Sequence, residues 1–184
     1  MQQYFVNCTE NDDYALITGD DYHHIKNVMR MKIDDELLIA NKNKVYYATI
    51  TEINNDYVKV KILYQIKENR ELDVAVTIAQ GMPKQDKFEY IIQKTTELGI
   101  RELIPVFSER SLIKLDNKKQ EQKLERYRKI AKSAAEQSHR QIIPEIKSFM
   151  DMKEFINYSK QFQYKCLAYE GSIEAEKFNL YNIL

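Results

Sequence analysis

The sequence predicts a two-domain α+β protein, a small β-barrel followed by an α/β domain with a mainly parallel sheet. Up to about Arg70 the apolar residues fall into short β-like runs, whereas beyond Asp73 strand-like and helix-like runs alternate. Between them the polar stretch KENRELD (Lys67 to Asp73) reads as a linker. A chain of 184 residues suits one small and one medium domain, and the boundary is expected at 1–70 and 71–184.

In the first half four strands are expected: YALITG, DELLIAN, VYYATITEI and YVKVKILYQI, with Asn54, Asn55 and Asp56 turning the chain between the last two. In the last of these Val58, Val60 and Ile62 alternate with Lys59 and Lys61, as a strand with one wet face requires. One helix interrupts them. In DDYHHIKNVMRM the residues Tyr22, Ile25, Val28 and Met29 share one face at helical spacing, with Lys26 and Arg30 elsewhere.

The second half opens on VAVTIA (Val74 to Ala79), apolar enough for a strand covered on both faces. KQDKFEYIIQKTTELG then sets Phe88, Ile91, Ile92, Thr95 and Leu98 on one stripe and stops at Gly99, a left-handed cap. ELIPVF is a second strand, and a basic helix from about Asn117 to His139 follows. After Pro144 come a short helix near Met150 to Ser159 and a third strand, YKCLAYE. Strand, helix, strand, helix, strand implies right-handed crossovers and a mainly parallel sheet. The terminal FNLYNIL reads as the start of a further helix, so the sheet is expected to be cut short.

Lysine plus arginine and aspartate plus glutamate each number 28, so no global charge announces a nucleic-acid partner. The distribution is uneven. Ser108 to Arg140 holds ten basic and five acidic residues, a surplus of five that the remainder cancels. Cys8 and Cys166 form no closely spaced pair, as expected of thiols in a reducing cytosol. The N-terminal residues lack a signal-peptide pattern and no run approaches eighteen apolar residues, so a soluble cytoplasmic protein with no membrane partner is expected. Histidines and cysteines are scattered, and no metal site is expected.

The loop QGMPKQDK contains only Gly81, too few glycines for a dinucleotide site of the ordinary kind. Lys84 and Lys87 at the mouth of a helix invite an anionic partner, or stand solvated. The basic helix, with Arg126 among its cations and Tyr127, Gln137 and His139 interleaved, is either a solvated face or a nucleic-acid contact. It ends oddly: SAAEQSHRQIIP crowds Glu136, Gln137, His139 and Arg140 before Pro144 where a glycine or asparagine cap would be usual.

Five motifs in order, MQQYFV, HHIKNVMRM, KQDKFEYIIQKTTELGI, PVFSERS and AAEQSHRQIIPEI, resemble the RsmE family, SPOUT-class methyltransferases of ribosomal RNA. The resemblance covers essentially the whole chain. It implies a PUA-like RNA-binding barrel, a SPOUT domain with a C-terminal trefoil knot, S-adenosyl-L-methionine as donor, a uridine N3 in 16S rRNA of the small ribosomal subunit as target, and a homodimer. Glu136, Gln137 and Arg140 match the family's EQ-x-x-R and, with Glu97 and Arg110 from the same sheet edge, would form the polar floor under the target nucleotide. His23, Arg30, Lys84, Lys87 and Arg126 join them as RNA-binding candidates. Ala168, Tyr169, Glu170, Gly171 and Ser172 resemble the first wall of the donor pocket.

Two departures accompany it. Gln3 stands where members usually carry an arginine, and the family's glycine-rich loop and knot have no counterpart before Leu184. The chain alone is therefore expected to lack donor binding, activity and the dimer contacts. Two other readings fit the same residues: a non-catalytic RNA-binding or ribosome-assembly module, and a SPOUT enzyme with another RNA target.

Overall fold

A computed structural model describes residues 1–8, 12–83, 87–107 and 116–168. The first sheet has five strands, β1 (Gln3–Phe5), β2 (Tyr14–Thr18), β3 (Glu36–Asn41), β4 (Lys44–Ile53) and β5 (Tyr57–Ile66), in the order β1-β3-β4-β5-β2. β1 runs parallel to β3 and the other pairs are antiparallel. The register of β4 against β5 shifts at Tyr47/Ala48 and again at Ile50/Glu52, and such bulges sharpen the twist that curls a sheet. Its concave side buries Tyr4, Ile17, Leu37, Ile39, Ile50, Val58 and Val60. The turn joining β3 to β4 holds Lys42 (φ 46°) and Asn43 (φ 65°) left-handed, the geometry a two-residue hairpin demands.

Helix α1 (Gly19–His23) passes directly into a wider π-helical turn over His24–Met29 and stops at Arg30, which is left-handed at φ 53°. This corrects the expected stripe. Tyr22 and Ile25 enter the core, but Val28 is 67% and Met29 40% exposed, because a wider turn rotates the later residues off a face laid out at 3.6 residues per turn.

The second sheet is parallel throughout: β6 (Thr77–Gly81), β7 (Glu102–Phe107), and beyond β7 the short β8 (Glu145–Ile146) and β9 (Met150–Asp151). On that side the carbonyls of Arg101 and Leu103 accept from the N–H groups of Glu145 and Lys147. Alternation would aim the N–H of residue 105 the same way, and Pro105 has none. The neighbour accordingly breaks, pairing at Glu102 and Leu103, then again at Val106 and Phe107. β6 pairs only β7 and is half-exposed, so among the described residues it is not covered on both faces as expected. Residues 164–168 of the expected strand YKCLAYE form no strand, with Tyr164 69% and Leu167 87% exposed; its last two residues lie outside the described part.

Helices α2 (Lys87–Glu97) and α3 (Asn117–Gln137) cover one face of this sheet, burying Phe88, Ile92, Leu103, Leu124, Tyr127 and Ala131 together. Rings of Phe88 and Tyr127 lie 5.0 Å apart and those of Phe107 and Phe149 4.9 Å apart; burying each such side chain contributes roughly 1.5–3 kcal/mol. Tyr127 thus belongs to the core and is not an aromatic RNA contact. Asp116 caps α3, accepting from Lys119 N at 2.8 Å, and α4 (Met152–Ser159) begins with a capping box between Asp151 and Glu154.

Leu98, expected on the buried stripe of α2, is 74% exposed because the helix has already closed. Gly99 N–H donates to Thr96 O and Ile100 N–H to Thr95 O, a Schellman ending that puts Gly99 at φ 101°. A Cβ there would stand 2.8 Å from Leu72 Cγ. Gly99→Ala should therefore lower stability by about 1–2 kcal/mol, measured as a lower urea midpoint at unchanged slope.

Candidate functional site

The C-terminal end of α3 is where the two sheets are joined. Arg140 is 2% exposed. Its Nη1 donates to the carbonyls of Thr96 (3.1 Å) and Ile100 (2.7 Å) at the end of α2, and its Nε and Nη2 reach the two oxygens of Glu71. Glu71 also accepts from the backbone N–H of Gln141 (2.8 Å) and Ile142 (3.1 Å), and Gln141 Nε2 donates to Glu68 O at 2.8 Å. The stretch expected to be a plain linker is thus fastened to the second domain. The barrel adds its own bond, Gln3 Nε2 to Arg140 O at 2.7 Å; Gln3 is buried and holds the junction from the inside.

Along the same helix the cations face acidic partners. Lys132 Nζ binds Asp21 at 2.6 Å and lies 3.6 Å from Glu136; Lys129 binds Asp20 at 2.9 Å; Arg126 binds Glu89 of α2 at 2.8 Å. The Lys129 pair is exposed and worth little, but the Lys132 pair is largely enclosed. Glu136 accepts from Phe5 N–H at 3.4 Å. Burial pushes its carboxyl up to about 7, with Asp21 adding to the rise and Lys132 and the Phe5 N–H opposing it. Tyr4, beside it, donates to or accepts from His24 Nδ1 at 2.9 Å and is raised by burial and by the charges of Glu136 and Asp21.

Of the expected floor of Glu97, Arg110, Glu136, Gln137 and Arg140, the four described members sit at the neighbouring C-terminal ends of α2 and α3, with Arg140 Nη1 on the carbonyls of Thr96 and Ile100. Glu97 closes α2 before β7 begins and binds Lys94 at 2.7 Å and Gln93 at 3.1 Å, while Arg110 follows the far end of β7 and lies outside the described residues. Arg140 has its guanidinium occupied by protein groups, which corrects its reading as a free phosphate fork. Gln137 is exposed. Lys87 is exposed at the opposite end of α2 from Glu97, and Lys84 lies outside the described residues. His23 is exposed, its ring edge-on to Tyr22 at 5.1 Å, and Arg30 is exposed on its left-handed turn. Ala168 is exposed, and Tyr169, Glu170, Gly171 and Ser172 lie outside the described residues.

Sequence reading missed Glu71, Asp20 and Asp21. A lone glutamate in a polar linker carries no signal, and two aspartates in the first turn of a helix look like ordinary dipole partners. Among the described residues no group of three or more His, Cys, Asp or Glu is placed to hold a metal ion, and no helix is long and apolar enough to cross a membrane.

A sequence model described as an RNA methyltransferase domain matches residues 70–183, and one described as an RNA methyltransferase PUA domain matches residues 17–63. The curled sheet and the parallel sheet are thus a PUA-like domain and a SPOUT-type RNA methyltransferase domain. The ribosomal RNA small subunit methyltransferase E of Bacillus subtilis (strain 168) is 37% identical over 189 residues, covering 100% of this chain and 74% of that protein. A solved structure of a hypothetical protein is 39% identical, with TM-score 0.87 over 92% of this chain and 71% of its own. A Legionella pneumophila protein solved with the bound cofactor SAM is 26% identical, with TM-score 0.79 over 86% of this chain and 66% of its own. The chain belongs to the RsmE family of RNA methyltransferases and spans about two-thirds to three-quarters of the length of these proteins.

The raised carboxyl of Glu136 sets a pH dependence. Its folded value lies above the ordinary 4.5, so its contribution to stability is fully present below about pH 4.5 and is lost as pH rises through about 7. Glu136→Gln keeps an acceptor for Phe5 N–H without the charge. Thermal unfolding between pH 5 and 8 should show the wild type losing stability with rising pH by about 1–3 kcal/mol relative to Glu136→Gln.

Proposed function

We propose that the protein to which this chain belongs transfers a methyl group from S-adenosyl-L-methionine to the N3 of a uridine in 16S rRNA of the small ribosomal subunit. The match to the Bacillus subtilis enzyme along the whole chain, through barrel and α/β domain alike, is the observation that carries this reading. In it, residues 1–70 form the RNA-binding barrel and residues 71–184 belong to the methyltransferase domain, and the enzyme acts in the cytoplasm as a homodimer.

In a parallel sheet the ligand crevice opens beyond the carboxyl ends of the strands. Here that edge is reached by Gly81 and Met82 of the β6 end and Phe107 of β7, tied by Met82 N–H to Val106 O at 2.9 Å. Among the described residues a Cβ at Gly81 would meet nothing within 4 Å, which leaves its main chain open to a ligand beside the apolar Met82 and Phe107. This suits a purine nucleoside carrying an amino acid. Met82 and Ala168, with Tyr169, Glu170, Gly171 and Ser172, are the residues that would hold the donor, which supplies a methyl group on a sulfonium. The protein's part is to align the uridine N3 with that methyl group and exclude water. Lys84, Lys87 and Arg110 are the candidates at this edge for the RNA backbone, with His23 and Arg30 on the barrel.

Incubation of the intact protein with methyl-labelled donor and small-subunit rRNA, free or in assembled subunits, tests the reading. One uridine should acquire a methyl group that blocks its pairing edge and stops reverse transcription. Methylation of a ribose or another base would assign a different target, and RNA binding without methylation would favour the ribosome-assembly module.

A further inference from the structure

A groove of about 390 Å³ runs between the barrel and the second domain, within the roughly 300–1,000 Å³ of single-ligand sites. Its barrel wall is built from Phe5, Asn7, Asn41 and Lys42, and its other wall from Lys132 of α3 and Ile143. The described lining contains two lysines and two asparagines and no carboxylate. Asn41 is fixed by a bond from Nδ2 to Cys8 O at 2.6 Å. Lys42 stands exposed on the left-handed hairpin turn at the end of β3, and Lys132 is steadied by Asp21.

We infer that this groove holds one nucleotide of single-stranded substrate RNA other than the nucleotide that is methylated. The inference rests on the RNA methyltransferase reading above. The exposed Lys42 suits a phosphate, the exposed Asn7 amide can meet a base edge, and the ring of Phe5 with the apolar side chain of Ile143 can cover the face of a base. A peptide partner would need deeper apolar anchors than these two side chains provide. Ile143 precedes β8 at the amino end of the second sheet, whereas the methyl-transfer edge lies at the carboxyl end of β7. The six residues of that strand separate the two by roughly 17 Å, so a strand of RNA must extend past both. Because each domain supplies one wall, the subsite exists only while the junction is closed.

The test is fluorescence anisotropy of the whole chain with a labelled short single-stranded RNA, with duplex RNA of the same sequence as competitor and salt varied. Lys42→Asn, which tolerates the left-handed turn, and Asn7→Ala should each weaken binding about three- to tenfold, and Lys42→Asn should reduce the salt slope by about 0.7. Lys61→Ala on the outer face of β5 should stay within about twofold of wild type, and duplex should compete poorly. Unchanged binding in both groove variants would overturn the groove while leaving the methyltransferase reading intact, as would an equal loss in Lys61→Ala or full competition by duplex. No binding by the wild-type chain to any RNA would overturn both.

Discussion

The buried ion pair between Arg140 and Glu71 is the constraint on which the remaining junction depends. A guanidinium cannot leave water unless nearly every N–H finds an acceptor, and here the acceptors come from two separate segments, while a third donates to the Arg140 main chain. Two carbonyls at the end of α2 fix the entry to β7, the Glu71 carboxylate draws in the linker, and the Arg140 carbonyl receives the Gln3 amide of the barrel. His139, left-handed at φ 54°, turns the chain so that Arg140 points inward, with Arg140 N–H returned to Ala135 O at 2.9 Å. The crowded end of α3 is therefore a helix stop made without glycine, and its Glu136 and Arg140 side chains serve the junction.

The same arrangement explains the charge distribution. The surplus of basic residues between Ser108 and Arg140 is not a free polyelectrolyte face, because Arg126, Lys129 and Lys132 are met by Glu89, Asp20 and Asp21. Lys129 and Lys132 are thereby neutralised by the barrel across the junction, and Arg126 by α2 within its own domain. Attraction for RNA then depends on local concavities and exposed cations such as Lys42 and Lys87, not on the long-range field of the whole protein. Glu136 is the cost of this closeness: a carboxyl enclosed beside another acid, held near neutrality.

What was legible in the sequence was local and periodic. The β4–β5 alternation, the Gly99 ending of α2 and the span of α3 rest on contacts between residues near in sequence, and they stand as expected. The π-helical turn at His24–Met29 was hidden because its apolar residues fit an ordinary helix equally well. β8 and β9 were hidden because strands of two residues have no period, and their break is written in Pro105 of the neighbouring strand. The five motifs disclosed the family. They did not disclose that Arg140 and Glu136 face inward, since burial is set by a barrel more than a hundred residues away in sequence, as the Gln3 to Arg140 bond illustrates.

Scanning calorimetry of the wild-type chain beside Arg140→Met tests most directly whether this node makes one body of two domains. Removing one partner of a buried pair leaves the other uncompensated, at about 3–5 kcal/mol. The wild type should unfold in a single transition. Arg140→Met should lose roughly 10 °C of midpoint and separate into two transitions, one for each sheet. A variant that kept one transition at the wild-type midpoint would contradict the account.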